Sequence, residues 1–190
     1  MTFTVAQSDA VAGAIRNRRT IHHFEPVPAP PEEEMLAAID LARWAPNHHL
    51  TEPWRFYLIG PETARKISRL NADMYGQSRG EQAGAAKYAR WLGIPGWVIV
   101  TCLRSDDEIR QREDYAACCC ALQNVQLYLW TRGIGVKWTT GPVTRTEQFF
   151  EIAGIDPEQE MLVGLVWYGF AAEVPCIQRK PVRDILRRRP

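Results

Sequence analysis

The stretch that decides the fold is Glu113-Asp114-Tyr115-Ala116-Ala117-Cys118-Cys119-Cys120-Ala121-Leu122-Gln123-Asn124-Val125-Gln126-Leu127-Tyr128-Leu129-Trp130. Its apolar residues fall on nearly every face of a helix, and a helix hydrophobic all round is buried all round. In a chain of 190 residues this means a central core helix or one that a second subunit covers. The small residues at 116–121 would let another helix approach closely. A homodimer is the favoured reading.

Downstream, Gly133 is placed as the C-cap of that helix, and Val136 to Thr139 reads as a strand ending in hydroxyls and the tight turn Thr140-Gly141-Pro142. Gly133 and Gly135 are not a dinucleotide fingerprint, because no third glycine follows at the required spacing and they close a helix instead of opening one. Thr144 is expected to cap a helix from Glu147 to Ala153 in a capping box with Glu147. Met161 to Phe170 reads as a buried strand, and the basic tail beyond it as a largely solvated end, disordered from residue 187 to residue 190. Upstream, Trp97 to Leu103 reads as a strand entered through Gly93-Ile94-Pro95-Gly96. Before it lie a helix over Ala85 to Leu92 presenting Tyr88 and Trp91, a loose glycine-punctuated stretch from Asn71 to Gly84, and a short helix from Pro61 to Leu70.

Further upstream, Ala45-Pro46-Asn47-His48-His49-Leu50-Thr51-Glu52-Pro53-Trp54 interrupts the pattern with two prolines and fills the gap with hydrogen-bonding side chains. It joins a helix over Glu32 to Trp44 to a strand over Trp54 to Ile59, a firm scaffold on which backbone amides and polar side chains can face a ligand. An ordinary hydrated turn has the same residues. A first helix is expected from Asp9 to Arg19, N-capped by Ser8 or Asp9. Arg16, Arg18 and Arg19 crowd its end, followed by Thr20. They either balance the helix dipole or form a phosphate clamp, since guanidinium forks match phosphate oxygens and a hydroxyl adds a donor. His22 to Pro31 is an extended, proline-rich connector.

With 23 basic against 22 acidic residues there is no global field to draw nucleic acid or anionic membrane, so any anion site is local. The N-terminus has no signal-peptide pattern and no apolar run is long enough to span a bilayer. Five cysteines without a C-x-x-C pair argue against a disulfide framework and for a reducing, cytoplasmic setting, with Cys102 and Cys176 as small buried hydrophobes. The pairs His22/His23 and His48/His49 match no metal-ligand spacing, and adjacent histidines diverge in regular structure, so no metal site is expected.

Arg18-Arg19-Thr20 with Phe24 behind it, Ala45-Pro46-Asn47-His48 through Pro53-Trp54, the Gly133-to-Gly141 turn and Arg179-Lys180-Pro181 occur in an order that resembles the FMN-dependent nitroreductase family, most closely its short single-domain branch. The resemblance spans roughly residues 10 to 186. It implies an α+β fold over residues 1–190, with a central mixed or antiparallel sheet flanked by helices, in an intertwined homodimer with FMN at the subunit interface. By the same resemblance Arg18, Arg19, Thr20 and Arg179 would hold the phosphate and pyrimidine edge of FMN. Asn47 and His48 would approach from the other subunit, and Trp138, Thr139, Thr140 and Gly141 would line the ring. Tyr75, Tyr88 and Trp91 are candidate acceptor-side residues. The implied activity is NAD(P)H oxidation by ping-pong hydride transfer through flavin N5 to a nitroaromatic, quinone or similar electron-poor acceptor. The alternatives are other chemistry of the same family (dehalogenation, enoate reduction, flavin cleavage) or flavin binding without turnover. Thr20 replaces the family's usual Ser, His22 and His23 stand where another basic residue is common, and no Pro-x-Glu-Gly turn is present to assign the N5 partner.

Overall fold

The computed structural model describes residues 2–189. In chain order the elements are α1 (Val5–Asn17), α2 (Glu32–Ala42), β1 (Trp54–Leu58), α3 (Pro61–Arg79), α4 (Glu81–Leu92), β2 (Gly96–Leu103), α5 (Glu108–Thr131), β3 (Ile134–Thr139), α6 (Glu147–Ala153), β4 (Glu160–Phe170) and α7 (Val182–Ile185), with single 3-10 turns at His48–Leu50 and Pro142–Arg145.

The four strands form one antiparallel sheet in the order β1-β2-β4-β3. Thr20 adds an isolated parallel bridge to Val136, and Phe24 an antiparallel one to Ala171, so the connector runs along the β3 edge. Side chains alternate across the sheet. Val98, Val100, Val136, Val166 and Tyr168 pack with Met35 and Ala38 of α2 and with Ala117, Cys118, Ala121, Leu122 and Leu129 of α5. Trp97, Ile99, Leu165 and Trp167 pack with Ile67 of α3, Trp91 of α4 and Phe149 of α6. The sheet is thus covered on both faces, as strands with near-continuous apolar runs require.

Several boundaries differ from the sequence reading. Helix α1 starts at Val5, because Thr4 and Gln7 form a reciprocal capping box, and it stops at Asn17, leaving Arg18 and Arg19 outside the helix. Helix α2 ends at Ala42 rather than Trp44. Helix α5 begins five residues early, where Asp107 accepts the N–H groups of Ile109 and Arg110. Thr146, not Thr144, caps α6; the Thr144 hydroxyl instead donates to the Gly141 carbonyl at 2.9 Å.

The largest difference lies at residues 71–84. These belong to a helical hairpin, α3 and α4, hinged at Gly80 with φ 93°. Gly76 and Gly84 let the two helix backbones touch, so glycines that read as flexible punctuation serve close packing. Cys102 is buried as expected, whereas Cys176 is exposed on the segment after β4. The basic tail beyond α7 is exposed through Arg189, and Pro190 lies outside the described residues. Among the described residues no helix is long and apolar enough to cross a membrane.

Candidate functional site

The candidate phosphate residues lie where α1 gives way to the β3 edge. Arg18 is the C-cap of α1, half-buried, and its Nη1 donates weakly to Oε1 of the buried Gln126 on α5 at 3.5 Å. Burial first, and then the positive charges of Arg179 and Arg19, hold the Arg18 guanidinium below its ordinary value. Like charges from both ends of the chain thus act on one half-buried guanidinium, which desolvation and repulsion both disfavour and a bound anion would relieve. Arg19 is partly engaged already: its Nη1 donates to the carbonyls of Arg16 at 2.6 Å and Arg18 at 2.8 Å, the helix-end role open to any arginine there. Thr20 is held beside Val136 by the parallel bridge, and the Ile21 N–H donates to the Val136 carbonyl at 3.0 Å.

A second group of cations lies beyond Thr20. Lys137, on the α4 face of β3, places Nζ 4.7 Å from the Trp167 ring centroid. Its ammonium is held below its ordinary value by burial and then by Arg90 and Lys87 of α4. His22 is exposed, and the slight desolvation of its imidazole, followed by the charges of Lys137, Arg90 and His23, likewise holds it low. The charges that depress these two groups overlap, with Arg90 common to both. Lys87 and Arg90 escaped the sequence reading; their one signal there is an i, i+3 cationic pair on a helix carrying Tyr88 and Trp91.

The loop at 45–54 is tightly built. Asn47 Oδ1 accepts the Glu52 N–H at 2.7 Å, while its Nδ2 donates to Thr51 Oγ1 at 3.0 Å and to the His48 carbonyl at 3.3 Å. The Thr51 hydroxyl in turn donates to Oδ1 of Asp114 on α5. Asn47 thus spends its side chain inside the loop, leaving His48 exposed at the tip. Three non-glycine residues, His49 (φ 62°), Leu50 (φ 52°) and Glu52 (φ 44°), are left-handed. Such residues cost about 1–3 kcal/mol each and persist only where the surroundings over-determine them. The adjacent histidines do not diverge: the left-handed His49 brings the ring centroids to 3.9 Å. Their nitrogens and an oxygen of Glu113 lie within 4.8 Å of one another, all on exposed residues.

At the end of β3 the predicted ring-lining residues separate in role. Trp138 points to the α5 face, packs over Gly164, and donates Nε1 to the Val163 carbonyl at 3.0 Å, so its indole is committed to the protein interior. Thr139 is half-buried and Thr140 exposed, and Gly141 begins the 3-10 turn. Of the acceptor-side candidates, Tyr88 lies beneath Arg69, whose Cζ is 3.8 Å from the ring centroid, and Tyr75 lies 4.6 Å from Lys87 Nζ. Trp91 is buried edge-on between Trp97 and Trp167, at centroid distances of 5.5 and 4.9 Å. A cavity of about 760 Å³ opens beside Trp91, bounded by Pro26, Pro28, Ile59, Pro61 and Ile94; none of the phosphate or loop residues lines it. Arg65, Ser68 and Glu32 are its polar lining, beside the rings of Trp97 and Tyr168.

Residues 15–170 match the pattern of the family described as the Nitroreductase family. The Bacillus subtilis protein YfhC, provisionally named an NAD(P)H nitroreductase, is 29% identical over 189 residues, covering 96% of each chain. Among solved structures, the nitroreductase-like family protein from Bacillus cereus superposes with a TM-score of 0.82 at 28% identity, over 98% of this chain and 97% of that one. An FMN complex of a nitroreductase-type protein from Desulfovibrio desulfuricans superposes with a TM-score of 0.75 at 21% identity, over 100% and 99% of the two chains.

Proposed function

Because the chain belongs to the nitroreductase family, we propose that it is an FMN-dependent NAD(P)H oxidoreductase, acting as a homodimer and passing electrons to a nitroaromatic, quinone or similar electron-poor acceptor. The observation that carries this reading is the half-buried Arg18 at the end of α1, adjacent to Arg19 and held below its ordinary value by burial and then by the positive charges of Arg179 and Arg19. The donor set fits a phosphomonoester: planar guanidinium forks for the oxygens, a Thr20 hydroxyl alongside, and burial of Arg18 to strengthen the attraction. When bound, FMN supplies the hydride-carrying chemistry between NAD(P)H and the acceptor.

The chain's own part is to bind, orient and neutralise. Arg18 and Arg179 hold the phosphate, and Thr20 orients it from the β3 edge. Lys137, Lys87 and Arg90 supply positive potential that favours any group gaining negative charge as it accepts electrons. Thr139 and Thr140, with the backbone of Gly141, border the ring, and the exposed His48 reaches toward it from the partner's loop. Trp138 contributes by fixing β3 and not by its indole edge. None of these residues is assigned as an acid or a base.

The homodimer reading is supported by unpartnered apolar surface. Trp44 is 73% exposed and Leu50 82%. A groove of about 430 Å³ between α1, α2 and α5 is lined by Ala10, Val11, Ala14, Leu41, Leu127 and Tyr128. Exposed apolar area of this kind marks an interaction surface.

The test is the visible absorption spectrum of the purified protein, followed anaerobically after addition of NADH or NADPH, with the mass in solution measured alongside. A flavin spectrum that bleaches with either donor, on a dimer, is expected. A protein that neither retains nor rebinds FMN would return the arginines to ordinary surface charge.

A further inference from the structure

Asp114 is a carboxylate set in an apolar wall. It is 4% exposed, and among the described residues its one hydrogen-bond partner is the Thr51 hydroxyl; no lysine or arginine pairs with it. A buried carboxylate without a cation is costly, and nothing in α5 itself requires one at that position.

We propose that Asp114 is a positioning residue: acting through Thr51 and Asn47, it holds the 47–52 loop in the left-handed shape that presents His48 to the flavin. This rests on the reading that the loop approaches FMN. The argument follows donor and acceptor capacity. The Thr51 hydroxyl points its hydrogen at Asp114 Oδ1, with Asn47 Oδ1 a longer second acceptor at 3.4 Å, which leaves the hydroxyl oxygen's lone pairs for Asn47 Nδ2. That contact fixes the Asn47 amide with Nδ2 toward Thr51 and Oδ1 toward the Glu52 N–H. The loop is thereby tied from Asn47 to Thr51 and to Glu52, with His49 and Leu50 left-handed inside the tie and Glu52 left-handed at its end. Replacing the carboxylate by a group that donates would reverse the hydroxyl, and the orientation of Asn47 would follow. The anchor is firm, because Asp114 lies one turn before Ala117 and Cys118 of the main core.

The test uses the full chain with and without added FMN. Thr51→Val keeps the side-chain shape and removes the hydroxyl. The expected result is that the His48 and His49 Hε1 resonances of the apoprotein shift and broaden while amide protection of α5 and β2 is unchanged. The FMN dissociation constant should rise about tenfold, the size of a lost charge-assisted hydrogen bond. Thr51→Ser, which retains the hydroxyl, should restore both. Imidazole resonances and FMN affinity that stay at wild-type values in Thr51→Val would overturn the proposal, as would a failure of Thr51→Ser to restore them. Should Thr51→Val not fold, Asp114→Ala, which removes the acceptor, takes its place, with the same shifts expected and unchanged resonances equally decisive against. A wild-type protein that binds no FMN would remove the flavin reading alone, because the apoprotein resonances still report whether Asp114 holds the loop.

Discussion

Gly84 of α4 crosses Gly76 of α3 so closely that a Cβ on Gly84 would lie 2.8 Å from the Ala72 carbonyl oxygen and 3.0 Å from the Gly76 Cα. The relation is not symmetrical, since a Cβ on Gly76 would meet the Gly84 Cα at an ordinary 3.6 Å. Gly84→Ala is therefore expected to destabilise by about 1–3 kcal/mol through overpacking. Gly76→Ala is expected to be neutral, or to stabilise by up to about 1 kcal/mol through helix propensity. Urea unfolding of the two variants checks this, and equal effects would show that the helices do not pack at these glycines.

Arg18 and Arg19 are adjacent but unequal. Arg19 is satisfied by the Arg16 and Arg18 carbonyls, whereas Arg18 is half-buried beside Arg179. Arg18→Ala and Arg179→Ala are each expected to weaken FMN binding tenfold or more, about what a hydrogen bond to a charged group contributes. Arg19→Ala should do less. Fluorescence titration of FMN into the apoproteins measures all three.

His22 makes stability fall in mild acid. Its folded pKa is depressed, by slight desolvation first and then by Lys137, Arg90 and His23, so the unfolded chain binds the proton more readily. The contribution is present above the ordinary imidazole value of about 6.5 and is lost as pH falls through the depressed one. Melting temperature should drop across that window, and drop less in His22→Gln.

Tyr57 titrates in the opposite sense. Burial, then the hydrogen bond to Glu160 at 2.6 Å, pushes its phenol up to about 12. A raised acid pKa contributes stability below the unfolded value near 10 that is lost as pH rises toward the folded one. Ultraviolet titration should find one tyrosine ionising late, and Tyr57→Phe should remove that step.

Trp91 separates packing from chemistry. Truncation to Ala is expected to cost about 3–5 kcal/mol, as for a buried aromatic, because Trp97 and Trp167 lose their edge partner. Tyr88→Phe should leave stability near wild type, so any change in its steady-state constants for several acceptors would report on the acceptor side alone.

The parts legible in the sequence are those with a local cause. The all-round apolar pattern placed α5, the prolines bounded the 45–54 loop, and the order of short basic and aromatic motifs pointed to the family. What the sequence could not convey depends on who meets whom. Gly76 and Gly84 read as punctuation of a loose stretch because a lone glycine does not say whether another backbone lies against it. Asn47 looked ligand-facing until Thr51 and Asp114 were seen to occupy it. Lys87 and Arg90 escaped the sequence reading because only the folded chain sets their charges against Lys137 and His22. Adjacent histidines were expected to diverge, a rule that the left-handed His49 breaks.

The sheet order β1-β2-β4-β3 has a consequence for how the protein is made. The strand that lies between β2 and β3 is the last of the four to leave the ribosome, spanning residues 160–170. Until it arrives, β2 and β3 each present an open edge, and the two apolar layers have no common floor to close upon. Assembly is therefore long-range and late, of the kind that folds slowly and rewards a nascent chain shielded from its neighbours. A fragment ending before residue 160 should be insoluble however complete its helices.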